Sequence, residues 1–158
     1  MTLATVACVL RSGGDFDASW VRALHRGVRE HSPSAVEFIC LTDEPLQILG
    51  VETVPLRHNW PRWWSKVEVF RRDVFSGPVL YLDLDTLPIG PLDDLLAYSG
   101  RMAVLADFYR PEDMASGVMA WTPGPDTERL YGMMAKAPEA IMRRHKARSD
   151  YWYRRHVR

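Results

Sequence analysis

One stretch constrains this chain more than any other: Val79-Leu80-Tyr81-Leu82-Asp83-Leu84-Asp85. An apolar, β-prone run of this kind reads as a strand buried on both faces, as found inside a parallel sheet. Ser76-Gly77-Pro78 turns the chain into it, and Pro88, Gly90 and Pro91 break the chain beyond it. The run ends in two carboxylates at i and i+2. In extended chain that spacing puts both side chains on one face. Two like charges so close repel, unless one takes a proton or a cation lies between them. Hard carboxylate oxygens suit Mg²⁺ or Mn²⁺, which also bind substrate phosphates. The alternative is that one Asp caps the following turn and the other is solvated.

The rest of the chain supplies a sheet around that strand. Residues 3–10 and 36–42 read as buried strands, and residues 51–56 as a short edge strand carrying Pro55. Between the first two, Asp15 or Asp17 caps a helix whose apolar stripe is Trp20, Val21, Leu24 and Val28. Ser65 caps a helix expected over 66–74. Residues 91–98 suit a short helix with acids in its first turn. Strands over 102–106 and 117–122 and helices over 126–136 and 138–147 complete the pattern. Strands alternating with helical segments imply an α/β fold, a mainly parallel sheet with helices on both faces. Ligands of such sheets gather at the carboxyl ends of strands. That rule selects Arg11 to Asp15, Asp43, and Asp83 to Thr86.

Length and composition set the bounds. The 158 residues suit a single domain spanning 1–158, and 47% hydrophobic content supports a sizeable core. Lys+Arg and Asp+Glu balance at 20 each, so nothing pulls the whole chain toward nucleic acid or anionic lipid. Cys8 and Cys40 lie in apolar runs and read as small buried residues, with neither metal spacing nor a disulfide framework. No leader-like N-terminus and no apolar run near the ~20 residues of a membrane span is present, so a cytoplasmic protein is expected.

YLDLDTLPIGPLDDLL resembles the metal-binding Asp-x-Asp segment of GT-A glycosyltransferases, especially the glycogenin-like group, glycosyltransferase family 8. Three further stretches agree in order. ATVACVLRSGGDF looks like the first strand and nucleotide-contacting loop, WWSKVEVFR like the helix whose lysine reaches donor phosphates, and ASGVMAW like an Asn-Ser-Gly-Val segment. The resemblance covers essentially the whole chain. It implies a Rossmann-like GT-A fold, compact or C-terminally truncated. The activity implied is metal-dependent transfer of a sugar from a UDP-sugar to an acceptor hydroxyl, with Mn²⁺ or Mg²⁺ as cofactor. Asp85 would bind the metal, and Asp83 the metal together with ribose or sugar. Lys66 would neutralise donor phosphate charge. Val9, Leu10 and Arg11 would lie near base and ribose, Ser116 and Gly117 beside the donor sugar, and Asp107 toward the sugar or acceptor. Read without the resemblance, Lys66 is a solvated lysine beside Glu68. Trp60, Trp63 and Trp64 read as core or loop anchors, or as stacking surfaces for a sugar or base.

Two departures stand out. Ala115 occupies the position where the group carries Asn, and the group's His-x-x-Gly-x-x-Lys-like segment has no counterpart. Ser149-Asp150-Tyr151 resembles the group's Gly-Asp-Gln segment, which would make Asp150 the candidate active-site carboxylate. The basic tail from Arg143 to Arg158 reads as a solvated helix, or as closing over the diphosphate or meeting an anionic partner. Two other functions compete. One is a non-catalytic nucleotide-sugar-binding remnant. The other is a haloacid dehalogenase-type phosphatase, with Asp83 as nucleophile and Asp85 as general acid. Against the phosphatase, three strands precede the motif, and Leu87 stands where Thr or Val is typical.

Overall fold

The computed structural model describes residues 4–32 and 36–145. Among them six strands form one sheet: β1 Thr5–Leu10, β2 Glu37–Thr42, β3 Glu52–Pro55, β4 Val79–Leu82, β5 Met102–Ala106 and β6 Met114–Trp121. Their order is β3-β2-β1-β4-β6-β5. β1 pairs in parallel with β2 and β4, and β2 with β3. β6 runs against both its neighbours, β4 and β5. The sheet is therefore mostly parallel, with the Pro55 strand at one edge as expected.

The described helices are α1 Ala18–His31, α2 Asp93–Leu96, α3 Pro125–Lys136 and α4 Pro138–Arg144, together with a 3-10 helix over Arg62–Phe70. Strand alternation distributes the core to two faces. Val6, Cys8, Leu10, Leu80 and Leu82 face α1, where Val21, Leu24 and Val28 meet them. Ala7, Val79, Tyr81, Met119 and Trp121 face the 3-10 helix and α3. Burying one such aliphatic side chain contributes roughly 1.5–3 kcal/mol, so the sheet is held from both sides. Cys8 and Cys40 are buried free thiols directly opposite each other in register. A contact with Cys40, reinforced by burial, pushes the Cys8 thiol well above its ordinary range. Among the described residues, no helix is long and apolar enough to cross a membrane.

Four expectations are corrected. The strand that opens the acidic motif stops at Leu82. The Asp83 amide donates to the Gly117 carbonyl at 2.8 Å, and the Thr86 amide closes a turn on the Asp83 carbonyl at 3.0 Å. The two aspartates thus stand in a turn and not in extended chain. Trp20 leaves the α1 stripe: it is 41% exposed and packs edge-on against Phe16, because Val21, Leu24 and Val28 already fill the buried arc. β6 begins at Met114 and so extends three residues earlier than the strand expected over 117–122. The helix expected over 66–74 is the 3-10 segment Arg62–Phe70. Ser65 does not cap it but donates its hydroxyl back to the Arg62 carbonyl at 2.8 Å. Every residue from Trp64 to Phe70 is buried, and β-branched Val67 and Val69 favour an α-helix less than straight-chain residues do.

Candidate functional site

A cleft of about 500 Å³ opens at the carboxyl ends of β1 and β4, where a parallel sheet exposes its ligand edge. Three segments wall it. They are the loop Arg11–Phe16, the start of the 3-10 helix with Arg62, Trp63, Ser65 and Lys66, and the turn Asp83–Asp85. Gly13 lies in the loop at φ +78°, a left-handed conformation that glycine adopts without strain.

The floor is a polar cluster around Asp83. Its carboxylate receives the Lys66 ammonium at 2.7 and 3.0 Å and the Tyr81 hydroxyl at 2.6 Å. The same ammonium donates to the Ser116 carbonyl at 3.3 Å and hydroxyl at 3.2 Å, and lies 5.2 Å from the centre of the Tyr81 ring. The Lys66 side chain is 8% exposed and that of Asp83 31%. This is a half-wet pair, with the lysine buried and the carboxylate partly open to the cleft it lines. A Cβ on Gly117 would stand 3.4 Å from Asp83 Oδ2, so the glycine lets β6 approach the carboxylate closely. Asp85 is exposed on the cleft wall and joins no ion pair among the described residues.

Lys66 is set in place from behind. Glu68, fully buried, accepts the amides of Arg57 and His58 at 2.8 Å each and pairs with buried Arg71 at 2.8 Å. Arg71 also donates to the Pro55 carbonyl at 2.9 Å. These bonds tie the 3-10 helix to the end of β3 and fix where its lysine emerges.

In the loop after β1 Arg11 pairs with Asp43 at 2.7 Å and also donates to Asn59. Asp43 receives the Ser12 amide at 2.8 Å and hydroxyl at 2.5 Å. Partial desolvation alone would raise the Asp43 carboxyl. The Ser12 bonds, helped by Arg11, outweigh it and hold the group below its ordinary range. Arg62 has φ +52°, and it alone among the described non-glycine residues has positive φ. That conformation costs about 1–3 kcal/mol, and such strain concentrates at functional sites.

Of the residues singled out from sequence, Val9, Arg11, Lys66, Asp83 and Asp85 line this one cleft. Ser116 and Gly117 back the Lys66–Asp83 pair from behind. Leu10 does not join them: its side chain is fully buried on the α1 face, since neighbours along a strand point to opposite sides. Asp107 lies in the β5–β6 connection, outside the cleft lining. Its Oδ1 accepts the amides of Tyr109 and Arg110 at 3.0 Å each. Asp150 and the tail beyond residue 145 fall outside the described residues. Trp60 and Trp64 are core, whereas Trp63 is 39% exposed at the cleft. Sequence reasoning missed Tyr81, although i and i+2 on a strand share a face and that spacing pointed to Asp83. It also missed Arg62 and Asn59, whose roles depend on loop geometry.

This sheet order, with a cleft and an acidic turn at the tip of β4, defines a fold of the GT-A glycosyltransferase type. Solved structures with a similar fold include glycosyltransferases. The glycosyltransferase GlyE of Streptococcus pneumoniae TIGR4 superposes with a TM-score of 0.61 at 15% identity, over 94% of this chain and 41% of that one. The galactosyltransferase LgtC, crystallised with donor and acceptor sugar analogues, gives a TM-score of 0.64 at 10% identity, over 90% of this chain and 65% of that one. The chain thus spans less than two thirds of the length of these structures. No protein-family model and no curated protein matches it.

Proposed function

We propose that the cleft binds a nucleoside diphosphate sugar, with UDP as the expected carrier, and that the chain passes the sugar to an acceptor hydroxyl. One observation carries this reading. The exposed Asp85 stands beside an Asp83 oriented by Lys66 and Tyr81, at the mouth of a cleft sized for a nucleotide. The likeness in fold to GlyE and LgtC supports the same class of chemistry.

The residues fit a divalent cation of the Mg²⁺ or Mn²⁺ kind. Such ions are held by one or two carboxylates, with substrate phosphates and water completing the shell. Asp85 has no competing ion pair among the described residues, and Asp83 is partly exposed and lines the cleft. Asp85 would be the principal ligand, with Asp83 sharing. When bound, the ion would supply positive charge to the departing diphosphate. The remaining work belongs to the chain. Lys66 fixes Asp83 and keeps two neighbouring carboxylates compatible. The Arg11–Phe16 loop and Trp63 offer backbone donors and aromatic faces to ribose and base.

A non-catalytic nucleotide-sugar binder is the second reading. Among the described residues no group of three or more His, Cys, Asp or Glu assembles, so the carboxylate pair has no third protein ligand there. The likeness in fold to GlyE and LgtC favours a glycosyltransferase over a phosphatase.

Calorimetry with UDP in Mn²⁺ or EDTA tests the proposal. Binding should need the metal and vanish in Asp85→Ala. Equal affinity with and without metal would refute the metal role. Turnover of UDP-sugar then separates transferase from binder.

A further inference from the structure

The proposed site needs positive charge for a diphosphate, and its cations are not equally free to give it. Arg11 is committed to Asp43 and Asn59. Lys66 directs its ammonium to Asp83 and Ser116. Arg62 remains. Among the described residues its guanidinium joins no ion pair, and it lies over the Trp63 ring, 5.9 Å from guanidinium carbon to ring centre. It is exposed and lines the cleft.

Its backbone is the second observation. Arg62 is held at φ +52° although glycine would suit that position better. The conformation is over-determined. The Ser65 hydroxyl, buried on the cleft side, locks the Arg62 carbonyl at 2.8 Å, and the Trp64 amide bonds to the Pro61 carbonyl at 3.1 Å. A backbone strained to carry an arginine at a cleft lip implies a use for the guanidinium. Its planar fork suits two phosphate oxygens at once, and the Trp63 face restrains its plane.

Resting on the donor reading above, we infer that Arg62 is the diphosphate-binding cation of this cleft, and that Lys66 positions Asp83 instead of contacting phosphate. Arg62 would bridge oxygens of the α- and β-phosphates from the start of the 3-10 helix.

The test uses the full chain with three probes: uridine, UDP and inorganic pyrophosphate, titrated calorimetrically in EDTA and again with Mn²⁺. Arg62→Gly is the main variant, because glycine accepts the left-handed backbone, and its melting temperature should not fall below wild type. It should weaken UDP and pyrophosphate about 10-fold or more while leaving any uridine binding unchanged. Arg62→Lys should recover only part of that loss, since a point charge replaces a fork. Equal pyrophosphate and UDP affinity in wild type and Arg62→Gly would overturn the inference while leaving the donor reading intact. Pyrophosphate binding that depends on Arg62, with no preference for UDP over pyrophosphate, would support the inference and sink the donor reading. A uniform loss for uridine and pyrophosphate alike would mark Arg62 as merely structural and overturn it.

Discussion

Replacing Lys66 by Met keeps the length and the apolar stem but removes the ammonium. Asp83 would then keep only the Tyr81 hydroxyl of its described side-chain partners, and Ser116 would lose a donor to its carbonyl and hydroxyl. Breaking a fully buried pair by deleting one partner costs about 3–5 kcal/mol. Asp83 retains 31% side-chain exposure, so water offsets part of that. The expected loss is about 2–3 kcal/mol, or a fall in Tm of about 5–10 °C. Urea unfolding followed by tryptophan fluorescence would read it as a lower midpoint at unchanged slope. Lys66→Met combined with Asp83→Asn should recover part of the loss, with a coupling of about 1–3 kcal/mol. A single variant within about 0.5 kcal/mol of wild type, or strictly additive variants, would refute the reasoning.

The neighbouring contacts carry further expectations. Glu68→Ala removes the buried carboxylate from Arg71, which keeps the Pro55 carbonyl and Asp73, and leaves two backbone amides unpaired; it should cost about 3–5 kcal/mol by chemical denaturation. Asp43 has its carboxyl held below the ordinary value, so its stabilising contribution is complete above the unfolded value of ~3.9 and drains as pH falls through the folded one. Asp43→Asn should therefore lower stability at neutral pH and flatten the acid limb of a Tm-versus-pH curve. Asp107→Ala frees the amides of Tyr109 and Arg110, which should exchange hydrogen faster while UDP affinity stays unchanged.

Most of the sheet is legible in the sequence because its strands are buried runs bounded by Gly and Pro. The strand over Met102–Ala106 coincides with its expected span. The position of the acidic pair is legible too, since a buried strand that breaks at two aspartates leaves them at the ligand edge. The hidden parts share one cause: they depend on contacts between distant segments. That Lys66 faces Asp83 depends on Glu68 and Arg71 anchoring a 3-10 helix to Pro55. Trp20 matches helical periodicity, yet the arc it would occupy faces solvent. Leu10 abuts Arg11 in sequence, and the pleat sends its side chain to the other side of the sheet. The left-handed backbone of Arg62 has no compositional sign, because no glycine or asparagine marks it.

A crystal of the protein soaked with UDP and Mn²⁺, with anomalous data collected at the manganese edge, addresses the acidic turn directly. One strong peak is expected roughly 2.0–2.2 Å from an Asp85 carboxylate oxygen, with the diphosphate on its far side in the cleft. A peak remote from the Asp83–Asp85 turn, or UDP ordered in the cleft with no manganese at the aspartates, would contradict a metal-bridged donor site.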